Sequence, residues 1–183
     1  MDIVNLNHKF LKTIQITSHE HIIINSFDTF YQNIDNITLF LSLVQARTNI
    51  SIRLIDYFIT KYSKYNKINY PINNTIFNVH ISYKQQLKAY QKKHFDPFSR
   101  GLRIPYFLNS ICIITTIGQL NFFKWFISKN IYEYICNNQE TIEKEMNTKK
   151  KIEKKNNIKK IKKIKQYNIS CTNSKVNNTV SFF

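Results

Sequence analysis

The residues best suited to chemistry in this 183-residue chain are cations gathered in two places. The first is YKQQLKAYQKKHFDPFSRGLRI, residues 83–104. It sets Lys84, Lys88, Lys92, Lys93, Arg100 and Arg103 against a single acid, Asp96, and mixes them with Tyr83, Tyr90, His94, Phe95 and Phe98. Ammonium groups match phosphate oxygens, and guanidinium forks match phosphate or guanine edges. Exposed rings stack on unpaired bases, so the combination suits single-stranded or junction nucleic acid. A structural role competes for the same residues, with Phe95 and Phe98 as core pins around a turn set by Pro97. Asp96 is then a cap, or the partner of Arg100 or Arg103.

The second place lies between 148 and 166, where ten lysines meet one glutamate. Lys149, Lys150, Lys151, Lys159, Lys160, Lys162 and Lys163 are the candidate phosphate contacts there. Such a tract binds polyphosphate through counterion release and carries little base specificity. Solubilisation is the competing reading.

Other chemistries find little material. Gly101 and Gly118 are the only glycines, too few for a glycine-rich phosphate loop. His19-Glu20-His21 lacks the H-E-x-x-H spacing of a helical zinc site and reads as surface composition. Cys112, Cys136 and Cys171 form an odd set with no C-x-x-C pair, which argues for reduced thiols; Cys112 and Cys136, within apolar stretches, read as inert and buried. Glu140, Glu143 and Glu145 precede the lysine tract and read as its partners or as solvated groups. Asp56 and Asp96 are the pair that a metal-dependent enzyme would have to use. We expect no enzyme of a common class, no cofactor and no metal.

The formal charge is +16, and it directs the search for partners to polyanions. Thirty Ile, 23 Asn and 23 Lys share A/T-rich codons, so genome composition contributes to that charge. A hydrophobic content of 43% with 14% aromatics suffices for a real core. The opening MDIVNLNHKF lacks the leader of a secretory signal, and no apolar run approaches 18 residues, so neither export nor a membrane span is expected.

The elements that must position these residues follow from periodicity. Ile14, Ile16 and Ile22 to Ile24 suggest strands. Ile37, Phe40, Leu41 and Val44, then Ile52, Ile55, Phe58, Ile59 and Tyr62, repeat at helical spacing. Residues 65–74 read as a loop, Thr75 to Ser82 as a strand and Tyr83 to Lys92 as a short helix, ended before Asp96-Pro97. Leu102 to Phe107 and Ile111 to Thr116 suggest a hairpin around Asn109-Ser110, with Pro105 at a sheet edge. Thr116 and Gln119 resemble a capping box opening a helix that resumes at Ile131. That helix is apolar on more than one face, hence either central to the core or shared with a protein partner around Phe122, Trp125 and Phe126.

The fold class expected is α+β, a small mixed domain over 1–147 with amphipathic helices on a short antiparallel sheet or hairpin. Residues 1–32 are its least defined part. A basic low-complexity tail covers 148–166, with nascent helix through Ile158, Ile161 and Ile164, and 167–183 carries a docking strand from Val176 to Phe183.

The blocks ISIRLIDYFITKYSK (50–64), ISYKQQLKAYQKKHFDPFSRGLRI (81–104) and ITTIGQLNFFKWFISKNIYEYI (114–135) resemble a group of uncharacterised proteins from giant nucleocytoplasmic DNA viruses. FDPF, Phe95 to Phe98, and GQLNFFKW, Gly118 to Trp125, carry the likeness most specifically. Ser99 stands where the group has a cysteine, Gly101 and Leu102 where charged residues are usual, and Tyr57 where tryptophan is common. The resemblance implies a viral origin and no particular activity. A non-enzymatic, largely sequence-nonspecific nucleic-acid-binding protein is the first expectation. It would work in the host cytoplasm, at the viral factory, in the nucleus or within the virion. A structural or interaction protein, partnered or homo-oligomeric through the face around Trp125, is the alternative.

Overall fold

Short polar side chains decide where the helices begin. In the computed structural model, which describes residues 3–172 apart from Gln15 and Ser110, and only the backbone at Ile3, Asn5 and 154–172, helix α1 spans Ile3–Lys12. Thr17 opens α2 (Ser18–Asp28) with a reciprocal capping box to Glu20. A 3₁₀ turn at Phe30–Gln32 leads to α3 (Ile34–Val44), capped by Asn33. Ser51 caps α4 (Ile52–Tyr57), which continues through a π-helical turn, Phe58–Tyr62, into α5 (Ser63–Tyr65). Strands β1 (Asn69–Ile72) and β2 (Thr75–Asn78) form one antiparallel hairpin, and Asn78 caps α6 (Val79–Tyr90). Strands β3 (Arg103–Leu108) and β4 (Ile111–Thr116) form a second hairpin, followed by α7 (Ile117–Ser128) and α8 (Ile131–Thr172). The chain divides into two compact units, Met1–Ile142 and Glu143–Phe183.

The first unit is a mixed α+β domain in which helices cover two small sheets, as the sequence predicts. Helix α7 is its centre: Leu120, Phe122, Phe123 and Phe126 are all essentially inaccessible. Phe123 meets Phe40 of α3 at 5.6 Å between ring centroids. Tyr31, buried in the 3₁₀ turn, donates its hydroxyl to the Leu120 carbonyl at 2.8 Å, and burial pushes that phenol well above its usual pKa. Fully burying side chains of this size stabilises by about 1.5–3 kcal/mol each, so a helix apolar on several faces pays no solvation penalty only at such a centre. Phe122, Trp125 and Phe126 are therefore interior, and the expected partner-binding face around Trp125 does not exist as a surface.

Several expectations are corrected. Ile22 to Ile24 lie in α2, not in a strand, because the Thr17–Glu20 cap starts a helix whose buried positions Ile23, Ile24 and Phe27 fall on one face. Ile14 and Ile16 lie in the α1–α2 connection. Residues 65–74 are not all loop: Asn73 and Asn74 both take positive φ (47° and 63°), the geometry of a two-residue hairpin turn, and β1 precedes them. The strand expected from Thr75 to Ser82 stops at Asn78, whose side chain accepts from the Ile81 amide and converts the chain to helix. Cys112 and Cys136 are exposed rather than buried. The side chain of Cys171 and the strand expected at Val176 to Phe183 lie outside the described residues. The lysine-rich stretch is helical in its backbone, as part of α8. No described helix is long and apolar enough to cross a membrane.

The β3–β4 hairpin holds as expected, with Asn109 at φ 52° in its turn. Its outer edge is closed by a side chain: Asn7 of α1 donates Nδ2 to the Phe107 carbonyl at 2.9 Å and accepts the Phe107 amide at 2.7 Å. The carboxamide thereby imitates a neighbouring strand. Asn7→Ala leaves both backbone groups without their partner and should lower stability by about 1–3 kcal/mol. Urea unfolding followed by far-UV circular dichroism checks this; an unchanged midpoint would show that the clamp is dispensable.

Candidate functional site

The loop from Gln91 to Leu102 joins α6 to β3, and nearly every residue in its middle is anchored. Gln91 leaves α6 at φ 57° while its amide still bonds Leu87. Phe95 then inserts fully into the core, 5.2 Å from the Phe122 ring and 5.4 Å from Trp125. The Asp96 amide donates to the Gly118 carbonyl at 3.2 Å. Gln119 donates Nε2 to the Pro97 carbonyl, and Asn121 donates Nδ2 to the His94 carbonyl, both at 2.9 Å. A Cβ on Gly118 would sit 2.9 Å from the Lys93 carbonyl oxygen, so only glycine permits this approach of loop to helix. Thr116 caps α7 as expected, but Gln119 does not complete a capping box, because its side chain is engaged by the Thr115 hydroxyl and Pro97.

This seating brings Lys92, Lys93, Asp96, Phe98, Arg100, Gly101 and Thr116 around an open cleft of about 290 Å³. Of the six cations singled out between 83 and 104, Lys92, Lys93 and Arg100 converge there. Lys84 and Lys88 are exposed on α6, and Arg103 is exposed at the start of β3, opposite Thr116. Among the described residues, Lys84, Lys88, Lys92 and Arg103 have no carboxylate within ion-pairing distance, whereas two cleft cations are paired. Lys93 Nζ lies 3.1 Å from Glu20 Oε1, and Arg100 donates Nε to Asp96 Oδ2 at 2.9 Å and Nη2 to Oδ1. Of the competing readings for FDPF, Phe95 is a core pin and Asp96 the partner of Arg100, while Phe98 is only half-buried.

In the second unit, Lys149 pairs with Glu145, and Lys150 and Lys151 are exposed. The side chains of Lys159, Lys160, Lys162 and Lys163 lie outside the described residues.

The principal residue missed from sequence is Glu20. It is not surface composition: it is buried on α2 and accepts hydrogen bonds from the Thr17 amide and hydroxyl, from Lys93, and from His94 Nε2 at 2.9 Å. Its signal was the spacing Thr17-x-x-Glu20, a capping box hidden behind the histidines. Burial raises its carboxyl, but the bonds from Thr17, His94 and Lys93 outweigh this and lower its pKa from 4.5 to about 2. Asp56 behaves oppositely. Half-buried and facing the negative Asp96, its pKa is raised despite Arg100, Lys92 and Lys61 nearby. The two aspartates thus share a field, yet Asp96 gives both oxygens to Arg100. Among the described residues, no group of three or more His, Cys, Asp or Glu side chains could hold a metal ion.

Over residues 4–181 the sequence matches a family of unknown function, DUF7197. The chain belongs to this family. A relative from Acanthamoeba polyphaga mimivirus, "Uncharacterized protein L507", is 38% identical over 140 residues, or 70% of this chain. The matched part spans only 54% of that relative's length. A giant-virus family of unknown function is therefore the placement. No solved structure matches the fold of this DUF7197 member.

Glu20, which braces the loop of this member through Lys93 and His94, gives it a pH signature. Glu20 is held well below its ordinary value, at about 2, so its contribution is complete above about pH 4.5 and fades as pH falls toward 2. That contribution is on the order of 3 kcal/mol. Glu20→Gln should lower thermal stability at pH 7 and flatten the loss between about pH 5 and 2. Equal melting temperatures for both proteins at pH 7 would refute the brace.

Proposed function

We propose that the chain is a non-enzymatic, largely sequence-nonspecific nucleic-acid-binding protein of a giant virus, acting inside the infected cell at the viral factory or in the nucleus. The observation that carries the reading is a set of unpaired cations, Lys84 and Lys88 exposed on α6 and Lys92 in the cleft beside Lys93 and Arg100. Charges left without carboxylate partners are free to exchange their counterions for phosphates, which is the main source of nonspecific affinity. The second unit supports the reading with its lysine-rich sequence, ten lysines between 148 and 166. Partner carboxylates on Lys93 and Arg100 reduce what those two add by charge alone, so affinity rests on Lys84, Lys88, Lys92, Arg103 and the lysines of α8.

Filter binding of the full chain to random DNA and RNA across a salt series tests this. With about six phosphate contacts, log K against log[salt] should slope near −5. Replacing Lys84, Lys88 and Lys92 together by Gln should reduce that slope by about 2–3, and replacing Lys150 and Lys151 by about 2. Binding that is absent, or insensitive to salt, would remove the proposal.

A further inference from the structure

Arg100 is poorly placed to act as a phosphate ligand, since Asp96 already occupies Nε and Nη2. The same pairing gives it a different capacity. A guanidinium held by two parallel hydrogen bonds cannot rotate about its own plane, and here both sides of the pair are anchored. Asp96 is tied through its amide to Gly118, and the Arg100 amide donates to the Phe98 carbonyl at 2.8 Å. Pro97 between them is held by Gln119. Beneath the guanidinium lies the Phe98 ring, with Cζ 4.9 Å from its centroid. The Arg100 side chain is nonetheless 58% exposed. The next residue, Gly101, adds no side chain to the cleft wall.

A flat, weakly hydrated, charge-compensated group with an aromatic ring behind it and solvent in front is a stacking surface. Lys92, unpaired, and Lys93 line the same cleft and would meet the phosphates flanking a stacked base. Building on the proposed nucleic-acid reading, we infer that the Arg100–Phe98 pair is a stacking platform for one unpaired base, so the cleft takes single-stranded nucleic acid in preference to duplex. Duplex ends aside, stacked and paired bases present no free face to such a platform.

The test uses the full chain and three probes at one salt concentration. These are a labelled oligothymidylate of about fifteen nucleotides, within the footprint of single-strand-binding sites, an abasic strand of equal length, and a thymidine mononucleotide. The abasic strand keeps every phosphate and removes every base. Wild type should bind the base-bearing strand roughly tenfold tighter than the abasic one, the lower range for one stacked base. Arg100→Lys keeps the charge and removes the plane, so the ratio should fall below about threefold; Phe98→Leu should lower it too.

Equal affinity of wild type for the two strands overturns the platform while leaving phosphate binding intact. A ratio unchanged in Arg100→Lys, with circular dichroism showing a folded protein, overturns the role of Arg100. A mononucleotide bound as tightly as the strand overturns the strand as ligand. If wild type binds neither strand, the proposed function falls together with the platform.

Discussion

The Lys93 carbonyl and the Gly118 backbone approach so closely that no side chain fits between them, and the basic loop depends on that contact. It lets the Asp96 amide reach the Gly118 carbonyl, places Phe95 within the aromatic cluster of α7, and leaves Gln119 and Asn121 facing loop carbonyls they can satisfy. Phe95 contributes the apolar part of the seat: truncating a buried Phe costs about 3–5 kcal/mol. The three hydrogen bonds contribute direction, each adding about 1 kcal/mol net and costing more if left unmade. A loop of this length would otherwise sample many conformers. Here the backbone that carries its cations is tied to the core.

Electrostatics sharpen the result. Like charges gathered at one cleft repel, and the protein relieves this with two buried carboxylates, Glu20 under Lys93 and Asp96 against Arg100. Glu20 does two jobs, since it also completes the cap of α2, so helix start and loop position are coupled through one side chain. Pairing lowers the cleft's net charge and raises its order. The proposed division of labour follows: the unpaired lysines of α6, with the lysine-rich sequence of α8, give affinity that depends on salt, and the ordered Arg100–Phe98 pair gives discrimination between stacked and free bases. Asp56 is half-buried near Asp96, and burial together with that negative neighbour raises its pKa.

Much of this arrangement was legible because its signals are local. Helical periodicity located α3, α4 and α7. The turn at Asn109 located the second hairpin, whereas α6 ends at Tyr90, with Gln91 at φ 57°, before Asp96-Pro97 is reached. The errors have local causes as well. Ile22 to Ile24 look like a strand until Thr17 and Glu20 are read as a cap, and the Asn73-Asn74 pair is a turn signal hidden in a chain where asparagine is common. What no sequence pattern could reveal is long-range pairing: Asn7 with Phe107 across 100 positions, or Glu20 with His94 across 74. The helix of α7, apolar on several faces, left core and partner surface equally open, and only three-dimensional packing decides for the core. Within the cleft, charge density in the sequence drew attention to this loop, but only geometry separates its free cations from those already paired.

Hydrogen exchange on the full chain, with and without a single-stranded oligonucleotide at low salt, probes the seated loop as the nucleic-acid-bearing element. The account predicts slower exchange on binding at the amides of residues 92–102 and of the first turn of α7. Protection confined to α8, with the loop amides exchanging as in the free protein, would contradict it.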